Sequence, residues 1–192
     1  MNPNTSRTDP RILRTRQLLG EALIDLLEEM DIEKITVNRI AERATINRVT
    51  FYLHYRDIPD MLDKMADGMI AEIKRALNDS PANPSPTDEY WPMMVSLLEH
   101  IAERGKFFKV IFASRKAPVF TERLLKLLAE LVAARIEKME SGSYITTAGI
   151  QKDIAIWYCS SALIGTIVSW LRNDMPYTPT YLAKQFALLR PH

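Results

Sequence analysis

The sequence predicts an all-α protein of about nine helices. Three observations lead there. Only 6 of its 192 residues are Gly, while 47% are apolar, enough to build a real core. Apolar residues recur at helical spacing over long stretches. One proline-rich break, Asn78 to Pro92 (NDSPANPSPTDEYWP), separates two helical parts and cannot itself be regular helix.

The elements follow in order. A first helix is expected from about Arg11 to Met30, with Leu19, Ala22, Leu23, Leu26, Leu27 and Met30 as one apolar stripe. Thr36 can cap a second helix, in which Val37, Ile40, Ala41 and Ala44 share a face. Thr45 and Ile46 interrupt, and Asn47 can cap a third helix over Arg48 to Tyr55, with Phe51 and Tyr55 inward. A fourth helix is expected from near Asp57, which can cap it, to about Leu77; Pro59 suits its first turn. Beyond the break, five more are expected: Met93–Glu103, Lys106–Ala113, Pro118–Met139, Thr147–Asn173 and Thr180–Leu189.

Thr36 to Leu62 is the most specific stretch: helix, short turn, helix, with donors grouped on the second helix. In a helix-turn-helix the second helix enters the major groove with its N-terminal residues at base edges. The charge pattern agrees with a nucleic-acid partner. The whole chain is nearly neutral, with 25 basic and 24 acidic residues. Residues 34–56 nevertheless carry five basic residues against Glu42 alone, and residues 1–16 carry four Arg against Asp9. The intervening 17–33 holds six acids and no base. Such a local footprint supplies salt-dependent affinity for phosphates.

Through Ile40-Ala41, Ala44, Ile46-Asn47-Arg48, Thr50-Phe51-Tyr52, His54-Tyr55 and Leu62, the segment resembles the DNA-binding head of the TetR/AcrR family of bacterial transcription regulators. The resemblance implies that Arg48, Val49 and Tyr52 meet bases or phosphates and that Thr36 and His54 hold the phosphate backbone. Asn47 and Thr50 complete the expected DNA-facing set. Arg7, Arg11 and Arg14 are arm candidates, against the plainer reading of the N-terminus as a solubilising tail. The chain departs from the family pattern at Thr45 and Val49, where Gly is common, and at Ile58, where a phosphate-binding Lys is common. Without that Lys, the backbone N–H groups that start the fourth helix are the expected substitute for a phosphate contact.

The resemblance implies a DNA-binding domain over residues 1–56 and a ligand-binding and dimerisation domain over 57–192. It implies a repressor that binds a pseudo-palindromic operator on double-stranded DNA as a homodimer and is released by an effector. A helical interaction module, or an activator dependent on a co-regulator, is the alternative. The short body with its Phe107–Phe112 segment is weakly similar to the branch related to dihydroxyacetone-kinase regulators, so the effector is a small molecule or a protein co-regulator. Trp91, Met94, Phe108, Phe112, Trp157 and Tyr158 are the pocket candidates, although aromatic residues at helical spacing describe an ordinary core equally well. Glu99, His100 and Arg104 read as a solvated helix face. Residues 154–171 carry no charge; their Ser and Thr content and the lack of topology signals argue for a helix buried between body and partner, not a membrane span. Trp157, Ser161, Ile164, Gly165, Val168 and Leu171 are the interface candidates.

No paired-carboxylate, nucleophile–base or metal constellation is visible, so neither an enzyme nor a cofactor is expected. The polar, Arg-rich N-terminus does not read as a signal peptide. A single cysteine, Cys159, fits a reducing cytoplasm.

Overall fold

A computed structural model describes residues 9–79, 90–113, 117–138 and 149–189, and the regular structure among them is helical throughout. The helices are α1 (Pro10–Glu29), α2 (Val37–Arg43), α3 (Arg48–His54), α4 (Ile58–Asn78), α5 (Tyr90–Glu103), α6 (Gly105–Phe108), α7 (Pro118–Lys138), α8 (Lys152–Arg172) and α9 (Pro179–Leu188). A 3-10 turn, Ile32–Lys34, precedes α2, and α6 runs on into a π-helical stretch, Lys109–Ala113.

The chain divides into two compact units, Met1–Met65 and Ala66–His192. The division falls inside α4. Local bonds explain this: Lys64 Nζ donates to the His54 carbonyl at 3.1 Å and to Asp60 at 2.9 Å, tying the first turns of α4 to the end of α3. Met61 is fully buried there.

In the first unit, α1 packs on α2 and α2 on α3. Leu19, Leu23, Leu27, Ile40 and Phe51 form its core. In the second unit, α7 packs on α8 and α5 on α9, while the π-helical stretch lies against α7 and α8. Phe108, Ile111, Phe112, Phe120, Leu124 and Leu128 are buried at its centre. Phe107 meets Phe108 and Phe120 edge-on at 5.2 and 5.9 Å, and Phe108 stacks on Phe112 at 5.7 Å.

Three boundaries differ from expectation. Helix α5 already begins at Tyr90, with Pro92 in its first turn, where no backbone N–H is required; the rest of the proline-rich break, 80–89, lies outside the described residues. Helix α8 begins at Lys152 and not near Thr147, since Gly149 adopts φ +67 and Gln151 is the extended cap residue. The expected helix Lys106–Ala113 is one α-turn followed by π geometry. At its start, Gly105 accommodates Met175: a Cβ there would lie 2.7 Å from the Met175 methyl. Asp174 and Met175 both have positive φ, 58 and 52. Their N–H groups donate to Leu171 and Trp170 carbonyls at 3.2 and 2.9 Å, closing α8 in a Schellman motif. Asp174 also pairs with Lys109 of the π-helical stretch.

Candidate nucleic-acid interface

The turn between α2 and α3 is built from backbone bonds. Thr45 N–H donates to Glu42 O at 3.0 Å and Ile46 N–H to Ala41 O at 2.9 Å, a Schellman closure of α2. That geometry places Thr45 in the left-handed region, φ 56, where Gly is the easy residue. Thr36 Oγ1 caps α2 by accepting from Arg39 N–H at 3.3 Å, and Asn47 Oδ1 caps α3 by accepting from Val49 N–H at 2.8 Å. Both capping residues are exposed.

Phe51 and Tyr55 anchor α3 inward, their rings 5.5 Å apart. With 3.6 residues per turn, this inward pair turns Arg48, Val49 and Tyr52 out to solvent and leaves Thr50 and His54 half-buried on the flank. Arg48 Nη2 donates to the Tyr52 hydroxyl at 3.0 Å, and its guanidinium carbon lies 5.5 Å from that ring's centroid. Burial holds the His54 imidazole below its ordinary pKa, with Arg16 and Lys64 acting in the same sense. The sequence reading passed over Leu53. Its exposure is 78%, against 67% for Val49; its place opposite Phe51 is the signal in the sequence.

The basic footprint is smaller than the sequence suggests. Both Arg43 Nη atoms donate to Glu29 at 2.9 and 2.8 Å, which lowers the Glu29 pKa, and Arg56 pairs with Asp60 at 3.4 Å. Arg11 and Arg14 belong to the opening turns of α1, not to an extended arm; Asp9 caps that helix by accepting from Arg11 N–H at 2.9 Å. Arg7 lies outside the described residues. The start of α4 is a poor phosphate site: Asp57 Oδ1 takes the Asp60 N–H at 2.8 Å, Pro59 has no N–H, and the Asp60 carboxylate stands beside them. Asp60 accepts from Arg56 N–H at 3.0 Å and from Lys64. Its pKa is held below the usual carboxylate value by the Lys64 bond first and the Arg56 N–H second.

In the body, the pocket candidates divide, with Phe108 and Phe112 stacked on each other in the core. Met94, Phe108 and Phe112 are buried in the core, whereas Trp157 and Tyr158 are 63% and 75% exposed on α8; the side chain of Trp91 lies outside the described residues. His100 departs from the solvated face expected of it. It is half-buried edge-on to Phe108 at 6.0 Å, its Nε2 is buried without a hydrogen-bond partner, and burial lowers its pKa. Glu99 is exposed, and the exposed Arg104 pairs with Glu72.

The interface candidates also divide. Trp157, Ser161 and Gly165 are exposed and Val168 is half-buried, but Ile164 and Leu171 are 9% and 1% exposed and face the protomer's own core. A helix apolar on nearly every side gives no periodic signal for which side turns inward. Helix α8 is also the one described helix long and apolar enough to cross a membrane by length and composition. Cys159, half-buried, has its thiol pKa raised by burial.

Residues 88–190 match the TetR C-terminal model, a transcriptional regulator C-terminal region. The chain belongs to the TetR family of transcriptional regulators. It is 39% identical over 183 residues, 93% of its length, to YxbF of Bacillus subtilis (strain 168), an uncharacterized HTH-type transcriptional regulator, of which the match covers 45%. The chain spans less than half the length of the curated relatives it matches. Among solved structures, a TetR transcriptional regulator from Streptococcus agalactiae is similar with a TM-score of 0.69 at 22% identity, covering 94% of this chain and 96% of that one. The dihydroxyacetone kinase operon activator DhaS is similar with a TM-score of 0.60 at 20% identity, covering 91% and 93%. At these identities the two structures bear on the fold, and the TetR-family fold is the one observed. The family is one of regulators, not of enzymes.

Proposed function

We propose that this chain binds a pseudo-palindromic DNA operator as a homodimer, represses from it, and is released by an effector held in the body. The observation that carries the reading is the outward face of α3: Arg48, Val49 and Tyr52 stand exposed on a helix capped by Asn47 and anchored by Phe51 and Tyr55. A two-fold dimer would set two such helices about 34–36 Å apart, one turn of DNA.

The exposed side of α8 supports the dimer. Ile154, Trp157 and Tyr158 are exposed there beside Ser161, Ala162, Gly165 and Ser169. A Cβ at Gly165 would meet nothing within 4 Å in its own protomer, so the space is open to a partner helix. The unpartnered Nε2 of His100 beside Phe108 supports an effector near that cluster, since a buried polar atom gains from a ligand that pairs with it.

The test is binding of the full chain to DNA upstream of its own gene, over a salt series from about 50 to 200 mM. A sequence-specific complex that weakens with salt is expected; no specific complex with any neighbouring promoter sinks the proposal. The second reading is the alternative left open by the sequence, activation with a co-regulator. A reporter driven by the bound promoter separates the two by the sign of the change when the gene is deleted.

A further inference from the structure

We infer that Leu53 acts with Val49 as the specificity-determining pair of this regulator, reading thymine 5-methyl groups in the major groove. The inference rests on the DNA-binding reading above and sharpens it. On α3 the inward direction is set by Phe51 and Tyr55. At 3.6 residues per turn the direction opposite them falls on Val49 and Leu53, one turn apart. Their exposures of 67% and 78% exceed the 47% of Tyr52. The outermost line of the helix is therefore aliphatic. The polar groups lie to its sides: the Arg48–Tyr52 pair on one flank, Thr50 and His54 on the other.

A helix in the major groove presses its outermost line deepest against the base edges. The only apolar group on those edges is the thymine methyl, so an aliphatic line with cationic and hydroxyl flanks fits thymine edges between phosphate rows. A protein occupant is disfavoured by area and charge. A stable protein interface buries roughly 800 Å² on each partner, far beyond what two aliphatic side chains on a seven-residue helix present. The surrounding segment, 34–56, carries five basic residues and one acid.

The test is a selection of binding sites from randomised duplexes with the full chain, then replacement of each thymine singly by deoxyuridine, which removes only the methyl. Loss of about fourfold in affinity is expected at one or two thymines in each half-site. Leu53→Ala or Val49→Ala should abolish that sensitivity at the matching position while the helical circular dichroism and melting of the protein stay unchanged. Specific binding indifferent to every deoxyuridine, or sensitivity that persists in both variants, overturns the inference and leaves operator binding standing. Unaltered site preference in Leu53→Asn overturns it too and points to another occupant of the stripe. Absence of any specific complex overturns the DNA-binding reading itself, and the inference with it.

Discussion

Arg48 and Tyr52, one turn apart on α3, are joined by a guanidinium-to-hydroxyl hydrogen bond of 3.0 Å, although both side chains face solvent. Arg48 is thereby held near one rotamer before DNA arrives, and its four other N–H donors remain for a base or phosphate. Tyr52→Phe removes the tether together with any contact the hydroxyl itself makes to DNA. It should weaken operator binding by about three- to tenfold with no change in melting temperature, the scale of one hydrogen bond. Arg48→Ala should cost about ten- to a hundredfold, and the double variant less than the two losses combined. Fluorescence anisotropy on a defined operator reads all three; equal affinity of Tyr52→Phe and wild type would show that the tether does not matter.

Thr45 holds the left-handed position that closes α2, at φ 56. A β-branched residue there carries strain of order 1–3 kcal/mol. Thr45→Asn should therefore stabilise the chain by about 1 kcal/mol, because Asn tolerates this region. Thr45→Gly should gain less, since Gly adds roughly 0.5–1 kcal/mol of unfolded-state freedom. Thr45→Ala keeps a Cβ and should gain little. Urea titrations decide; a Thr45→Asn midpoint at or below wild type removes strain from the account.

Three lowered pKa values, those of His54, Asp60 and Glu29, govern how the first unit responds to acid. His54 is held below its ordinary value by burial, then by Arg16 and Lys64. The unfolded chain therefore takes up its proton first, near pH 6.5, and stability falls as pH drops from there through the folded pKa. Asp60 is held low by Lys64 and then by Arg56 N–H. Its contribution is full above the unfolded pKa of about 3.9 and is lost as pH falls through the lower folded value. Chemical denaturation should thus show a first decline below pH 6.5 that His54→Gln reduces, His100 giving the rest, and a second below pH 4 that Asp60→Asn reduces, with Glu29 and Glu137 giving the rest. A flat profile between pH 7 and 5 in the wild type contradicts the first.

Much of this was legible in the sequence, and the reason is local. Thr36, Asn47 and Asp57 are cap residues placed just before apolar-periodic runs, and each caps the helix it precedes. Phe51 and Tyr55 were recognisable as inward by their spacing. What stayed hidden depends on partners distant in sequence. Nothing around Arg43 announces Glu29, which engages its guanidinium fork, and nothing around Gly105 announces Met175. Along α8 the apolar character runs round the helix, so Ile164 and Leu171 could not be told from Trp157 until α7 and the π-helical stretch were seen to cover one side. Leu53 carries no polar group to mark it, and only helical phase, two residues from the inward Phe51, points it to solvent.

The two sides of α8 make the dimer proposal separable from the fold. Leu171 is 1% exposed within its own protomer, so Leu171→Ala should cost about 2–5 kcal/mol of stability. Gly165 faces open space, and a side chain there meets nothing in the protomer. Gly165→Leu should leave the monomer fold intact, and even favour the helix, because Gly is disfavoured by about 1 kcal/mol at an interior helical position. In a dimer whose helices approach along Ser161, Gly165 and Ser169, the same leucine would hold the partner backbone away. Light scattering of wild type should therefore give twice the chain mass, and Gly165→Leu a single chain mass at the same concentration, with helical content preserved. Operator affinity should fall steeply in that variant, because a lone head meets only half of a two-fold site. A Gly165→Leu protein that remains dimeric and binds its operator fully would place the interface elsewhere.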